Sequence, residues 1–192
     1  MRYYVTDFQI FAKLEPANGI ADRKTIMSLM ISTGDPSRQT KDCDCATQLD
    51  FRKAKELNNA GYKCVGRYLT GYVGSGEKRK AKNLTVDELR EVANAGLKVF
   101  PIYQDGGFTK EYFTKEQGYI DARKAIETAN NLFIPRRSII YFAVDYDFMD
   151  SQVTSKVIPY FQSIDEVIRS KSNPNNYVAG VYGSRNICTR VS

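Results

Sequence analysis

Two aspartates one residue apart, Asp145 and Asp147, close the run SIIYFAVDYDFMD at residues 138–150. The first half of that run is apolar and aromatic and predicts a buried strand. In a strand, residues i and i+2 share a face, which sets the two Cα atoms roughly 6.5–7 Å apart. That spacing brings the carboxyls into or near the range used by paired-carboxylate glycoside hydrolysis, about 5–9.5 Å. Like charges this close repel, so one of the two pKa values is expected to rise. The protonated member can then hand a proton to a leaving oxygen, while its ionised partner stabilises an oxocarbenium-like centre or activates a water. The competing reading gives Asp147 to a turn cap and Asp145 to an arginine. A third acid, Asp44, lies in DCDCAT at the end of an earlier strand-like piece. It reaches the same mouth, or it is an Asx-turn residue.

The 192-residue chain has no histidine. Ser–His and Cys–His nucleophilic catalysis and histidine-ligated zinc are therefore excluded, and acid–base chemistry falls to Asp, Glu, Tyr, Lys or Cys. Cys43 and Cys45 form C-x-C, and Cys64 and Cys188 stand alone in strand-like runs. None has the C-x-x-C spacing of redox or zinc sites, so they read as small buried hydrophobes, and no metal or cofactor is expected. Hydrophobic residues make up 42% and charged residues 26%, the balance of an ordinary globular domain. No apolar run reaches the roughly 18 residues of a membrane span. The opening MRYYVTDFQIF lacks the apolar core of a secretory signal, so export is not written in this sequence. A net charge of +6 suits an anionic partner: nucleic acid, acidic lipid or an anionic wall polymer. Part of that charge is the run KRKAK at 78–82, which also reads as a solvated loop. No nucleic-acid motif or interleaved aromatics accompany the run, so nucleic acid is not the expected partner.

The elements that must position these acids follow a rhythm. Residues 1–40 predict two short helices: one over VTDFQIFAKL, with Val5, Phe8, Phe11 and Leu14 at helical spacing, and one over RKTIMSLMIS, capped by Asp22 and stopped before Gly34 and Pro36. From residue 41, strand-like and helix-like runs alternate. A strand near 42–46 precedes a helix capped by Asp50 and ended at Gly61. The strand YKCVGRYL, the loop TGYVGSGEKRKAKN and a helix opened by a Thr85/Glu88 capping box come next. The strand LKVFPIYQ, the helix GYIDARKAIETANNL, the strand RSIIYFAVDYD, a helix kinked at Pro159 and the strand NYVAGVYG complete the pattern. Such alternation means a parallel sheet covered by helices; an open doubly wound sheet and a (β/α)8 barrel both fit. No G-x-G-x-x-G or phosphate-binding loop follows any strand, which removes support from nucleotide binding.

Polar and aromatic groups gather at the strands' C-terminal ends: Arg67 and Tyr68, Tyr103 and Gln104, Asp145 and Asp147, Tyr182 and Arg185. Both architectures place ligands there. Tyr68, Tyr103, Tyr141, Tyr146 and Tyr182 read either as core packing or as platforms for sugar rings. Arg67, Gln104 and Arg185 supply polar contacts for such a cleft; Arg67 serves equally well to neutralise the acids.

Five blocks, AGYKCVGRYLTG, AGLKVFPIYQDGG, GYIDARKAIETANNL, IIYFAVDYD and VAGVYGSRNIC, resemble in order a bacterial glycoside-hydrolase-like TIM-barrel family. That family is distantly similar to the barrel lysozymes that cut peptidoglycan. The resemblance implies a (β/α)8 barrel of which this chain holds about five β/α units, incomplete at its C-terminus and preceded by a short helical segment, with the barrel domain over 41–192. It maps the family's opening aspartate to Asp44 and the lysozymes' D-x-E motif to Asp145-Tyr146-Asp147, with Asp in place of Glu at the second acid. The segment NGIADRKTIMSLMISTGD is similar to the end of a peptidoglycan-binding helical module, with Asn18, Gly19, Asp22 and Thr25 in its pattern. Together these imply a glycosidase acting on peptidoglycan or a related polysaccharide, outside the cell or at the wall, with anionic wall polymers as further partners. Asp147 would be the acid, Asp145 the stabilising or water-activating carboxylate, and Asp44 an electrostatic or positioning group. A non-catalytic wall-binding module that keeps the sugar cleft is the alternative.

Overall fold

The computed structural model describes residues 1–12, 14–30 and 40–192. Two compact units result, Met1–Gln39 and Thr40–Ser192. In the first, helix α1 (Arg2–Phe11) and helix α2 (Arg23–Met30) are tied by a polar residue. The buried Gln9 amide donates to Ile20 O and to Thr25 Oγ1, both at 2.9 Å, and accepts from Gly19 N at 2.8 Å. Of the expected apolar stripe, Leu14 is buried but Phe11 is 51% exposed. Asp22 caps α2 by accepting from Thr25 N at 2.8 Å; the expected stop at Gly34 and Pro36 lies outside the described residues.

The second unit is an α/β layer built on a five-stranded parallel sheet. Its strands are β1 (Asp42–Asp44), β2 (Cys64–Tyr68), β5 (Lys98–Tyr103), β6 (Ile139–Val144) and β7 (Val178–Gly183), adjacent in that order. Each strand pairs with the next of the five along the chain, so the sheet is not doubly wound. Right-handed crossovers growing in one direction keep their helices on one face. These helices are α3 (Phe51–Asn59), α4 (Val86–Asn94), α5 (Lys115–Asn131) and α7 (Ile158–Ile168), with α3 packed on α4 and α5 on α7. The main core lies under α5 and α7, around Ile140, Phe142, Val144, Tyr160 and Ile164; a smaller one lies under α3 and α4, around Ala54, Val65 and Val92. On the other face, the Phe100 and Tyr141 rings meet edge-on at 5.6 Å and lie over glycines. A Cβ at Gly66 would stand 2.5 Å from the Phe100 ring, and one at Gly180 2.8 Å from Tyr141. The sheet is open: among the described residues β1 and β7 are its edges and no closed barrel forms.

Local chemistry accounts for most boundaries. Asp50, Thr85 and Thr114 cap α3, α4 and α5 by accepting from the amide three residues on. The expected capping box at α4 is only half made. Glu88 N donates to Thr85 Oγ1, but the Glu88 carboxylate turns inward to Arg67. The expected kink at Pro159 takes another form: the short helix α6 (Asp150–Gln152) runs into a π-helical turn over Val153–Val157. Pro159 then falls in the first turn of α7, where its missing N–H costs nothing. The remaining pieces are a small hairpin of β3 (Tyr72–Val73) and β4 (Lys80–Ala81), and helix α8 (Arg185–Val191) after β7. No described helix is long and apolar enough to cross a membrane.

Candidate functional site at the C-terminal edge of the sheet

Asp44 is the last residue of β1, and both its oxygens are engaged. Tyr182 OH, from β7, donates to Oδ2 at 3.0 Å, and Tyr68 OH, from the end of β2, reaches Oδ1 at 3.4 Å. Gln104, one residue past β5, directs its Nε2 to Asp145 Oδ2 at 3.4 Å. Its Oε1 accepts from Lys82 Nζ at 2.8 Å; this second bond fixes which end of the amide faces the acid. The Lys82 ammonium also sits 4.2 Å from the centroid of the Tyr68 ring. Residues at or just past the ends of all five strands thus form two hydrogen-bonded groups, Asp44–Tyr68–Tyr182 and Lys82–Gln104–Asp145, joined where the Lys82 ammonium meets the Tyr68 ring.

The cluster's electrostatics follow from this packing. Burial, then the Asp44 charge and hydrogen bond, push the Tyr68 hydroxyl up to about 12. The same two causes, in that order, raise Tyr182. Both phenols therefore stay protonated at neutral pH and act as donors to Asp44. Burial lowers the Lys82 ammonium, against the opposing pull of Asp105 and Asp145. Burial raises Asp105, but the Lys124 ammonium and the Tyr103 hydroxyl outweigh it and hold the carboxyl below the ordinary range.

The remaining sequence-expected residues fall in different places. β6 ends at Val144, so Asp145 and Asp147 lie beyond it, with a bend at Tyr146 between them. The strand rule that two residues apart means one face does not reach them. Both are nonetheless exposed, while Tyr146 is half-buried and Phe148 buried. The Phe148 ring packs 5.2 Å from Phe113 and 4.8 Å from Tyr146, which anchors this loop with the acids outward. Asp147 makes no hydrogen bond or ion pair among the described residues. Arg67 is fully buried rather than open to a cleft. Its Nε donates to Glu88 Oε1 at 2.6 Å, and its other nitrogens reach Glu88 Oε2, Lys82 O and Cys45 O. It braces β1, β2 and α4 instead of the acids. Tyr103 is buried too, its hydroxyl 3.1 Å from Asp121 Oδ1 and 3.3 Å from Asp105 Oδ2. Tyr141 lies on the sheet's open face with its ring against Phe100, and Arg185 is half-buried at the start of α8. The four cysteines are free and half-buried.

Lys82 is the site residue that sequence reasoning missed, hidden in a basic run read as solvent-facing. Its alternation with Leu84 carried the signal: Lys82 and Leu84 are buried, while Ala81 and Asn83 are not.

Comparison with known proteins agrees with this architecture. The model of the Rv2525c-like, glycoside hydrolase-like domain family matches residues 55–192. Two Bacillus subtilis proteins are close in sequence: uncharacterized protein YbfG is 49% identical over 98% of this chain, and uncharacterized protein FadG 43% over 100%. The chain spans only 26% and 32% of their respective lengths. Among solved structures, the Tat-secreted protein Rv2525c of Mycobacterium tuberculosis superposes with a TM-score of 0.58 at 22% identity, over 71% of this chain and 65% of that one. A B. stearothermophilus protein gives 0.53 at 23% identity, over 73% and 58%.

Proposed function

Because the chain belongs to the Rv2525c-like, glycoside hydrolase-like domain family, we propose that its site binds and hydrolyses the glycan of bacterial peptidoglycan. The observation that carries this reading is the meeting, around Asp44 and Asp145, of side chains at or just past the C-terminal ends of all five strands. Asp44, with both oxygens held by phenol donors, is a fixed negative charge facing the substrate. Asp145, bonded among the described residues through Oδ2, keeps Oδ1 for an oxocarbenium-like centre or for an attacking water. Asp147, exposed and without a partner among the described residues, protonates the leaving oxygen. Tyr182, 36% exposed, offers a ring face to a sugar. Such a substrate lies outside the cytoplasmic membrane, and the small helical unit Met1–Gln39 is assigned to holding the same polymer.

The test is release of reducing ends from purified peptidoglycan. The wild-type chain is expected to release them; Asp145→Asn and Asp147→Asn are expected to lose about 100-fold or more of the rate while still sedimenting with the polymer. Undiminished release by Asp147→Asn would remove it as the acid. The open sheet favours a second reading, a wall-binding module without catalysis; sedimentation with peptidoglycan and no reducing ends from the wild type would establish it.

A further inference from the structure

The hairpin β3–β4 stands apart from the main sheet, with Tyr72 paired to Ala81 and Val73 to Lys80. Every residue from Tyr72 to Ala81 is exposed. Lys78, Arg79 and Lys80 face a single acid, Glu77, so the hairpin carries three positive charges and one negative, a net +2. None of the three cations takes part in a salt bridge among the described residues. Arg79 Cζ lies 4.0 Å from the centroid of the Tyr72 ring, which holds a guanidinium and an aromatic face together at the surface.

The base of this arm is the wall of the site. Lys82 N donates to Gly71 O at 3.1 Å, and Tyr68 bridges to Asn83. Gly71 has φ +94°, and a Cβ there would press within 2.8 Å of the Lys82 side chain and 3.1 Å of Gln104 O. The arm therefore leaves the sheet through a position suited to glycine alone. Tyr68 and Lys82, which flank that exit, are the residues that reach Asp44 and, through Gln104, Asp145.

We propose that the β3–β4 hairpin is an anion-recognising arm of the site, and that the glycan the site takes carries carboxylate groups on its sugars. The inference rests on the carbohydrate reading above. Charge segregation selects this ligand over a nucleic acid. A duplex presents a phosphate at every nucleotide, including against Asp44 and Asp145, whereas a glycan with spaced carboxylates sets neutral ring atoms at the acids and an anion on the arm.

The experiment compares two polymers with one backbone, glycol chitin and carboxymethyl chitin, with duplex DNA as a second polyanion, all against the full chain. The readout is the ratio of affinities for the carboxylated and the neutral polymer at low ionic strength. The wild-type ratio is expected near ~10, the size of a few exposed charge contacts, and should fall as salt is raised. The triple variant Lys78→Ala, Arg79→Ala, Lys80→Ala should bring it close to one, and Lys78→Glu with Lys80→Glu should invert it. A triple variant that keeps the wild-type ratio, or a wild type that binds both chitins equally, overturns the inference and leaves the carbohydrate reading standing. Retention of neither chitin, with or without DNA binding, overturns both.

Discussion

At the scale of the residue, the account turns on Asp44, an acid whose partners come from strands far away in sequence. The Asp44 charge and its phenol donors stabilise one another, and that coupling can be measured. Tyr68 is pushed from 10.0 to about 12, so the folded value lies above the unfolded one. The stability this group contributes is complete below about pH 10 and is lost as pH rises towards about 12. Asp44→Asn removes the anionic part of the shift and leaves the burial part. Nuclear magnetic resonance of ring-labelled tyrosine should therefore show Tyr68 and Tyr182 ionising at lower pH in the variant than in the wild type; unchanged titration would deny the contacts. Asp44, Tyr68, Gln104, Asp145 and Tyr182 were all legible in the sequence, because each sits at or just past the end of a strand-like run. Their partners were not: Tyr182 reaches Asp44 across 138 positions, and no local pattern encodes such a pairing. Arg67 was misplaced for the same reason, since the buried acid that claims it lies 21 residues on.

Elements explain where the local rules held and where they gave way. Caps at Asp50 and Thr85 were readable because they need only a side chain and an amide three residues away. The end of β6 was not. Asp145 N donates to Gly107 O at 3.1 Å, a loop carbonyl rather than a ladder partner, and the strand stops at Val144 although the apolar and aromatic pattern runs on to Tyr146. The capping box at α4 failed because a stronger claim won. Arg67 and Glu88 form an ion pair with side chains only 0% and 3% exposed, and Glu88 Oε1 also accepts from Leu49 N at 2.9 Å. One carboxylate thus joins the β1–α3 loop, β2 and α4 beneath the site. Removing it strands a buried guanidinium, so Glu88→Ala should cost about 3–5 kcal/mol, read as a lower denaturant midpoint with the slope preserved. A loss within experimental error would mean the pair does not brace these elements.

For the whole molecule, strand order is the decisive feature. A parallel sheet that grows in one direction puts its helices on one face and its C-terminal edges in one row, which is how acids at residues 44 and 145 come to share a cluster. The alternation of strand-like and helix-like runs predicted a parallel α/β sheet, but it could not separate a singly wound sheet from a doubly wound one, because both have the same alternation. The most direct test maps ligand contact onto this arrangement by titrating soluble peptidoglycan oligosaccharides into isotope-labelled protein and following backbone and side-chain resonances. The account predicts saturable shifts concentrated at Asp44, Tyr68, Lys82, Gln104, Asp145 and Tyr182. Saturable shifts elsewhere in the molecule, with these six silent, would contradict it.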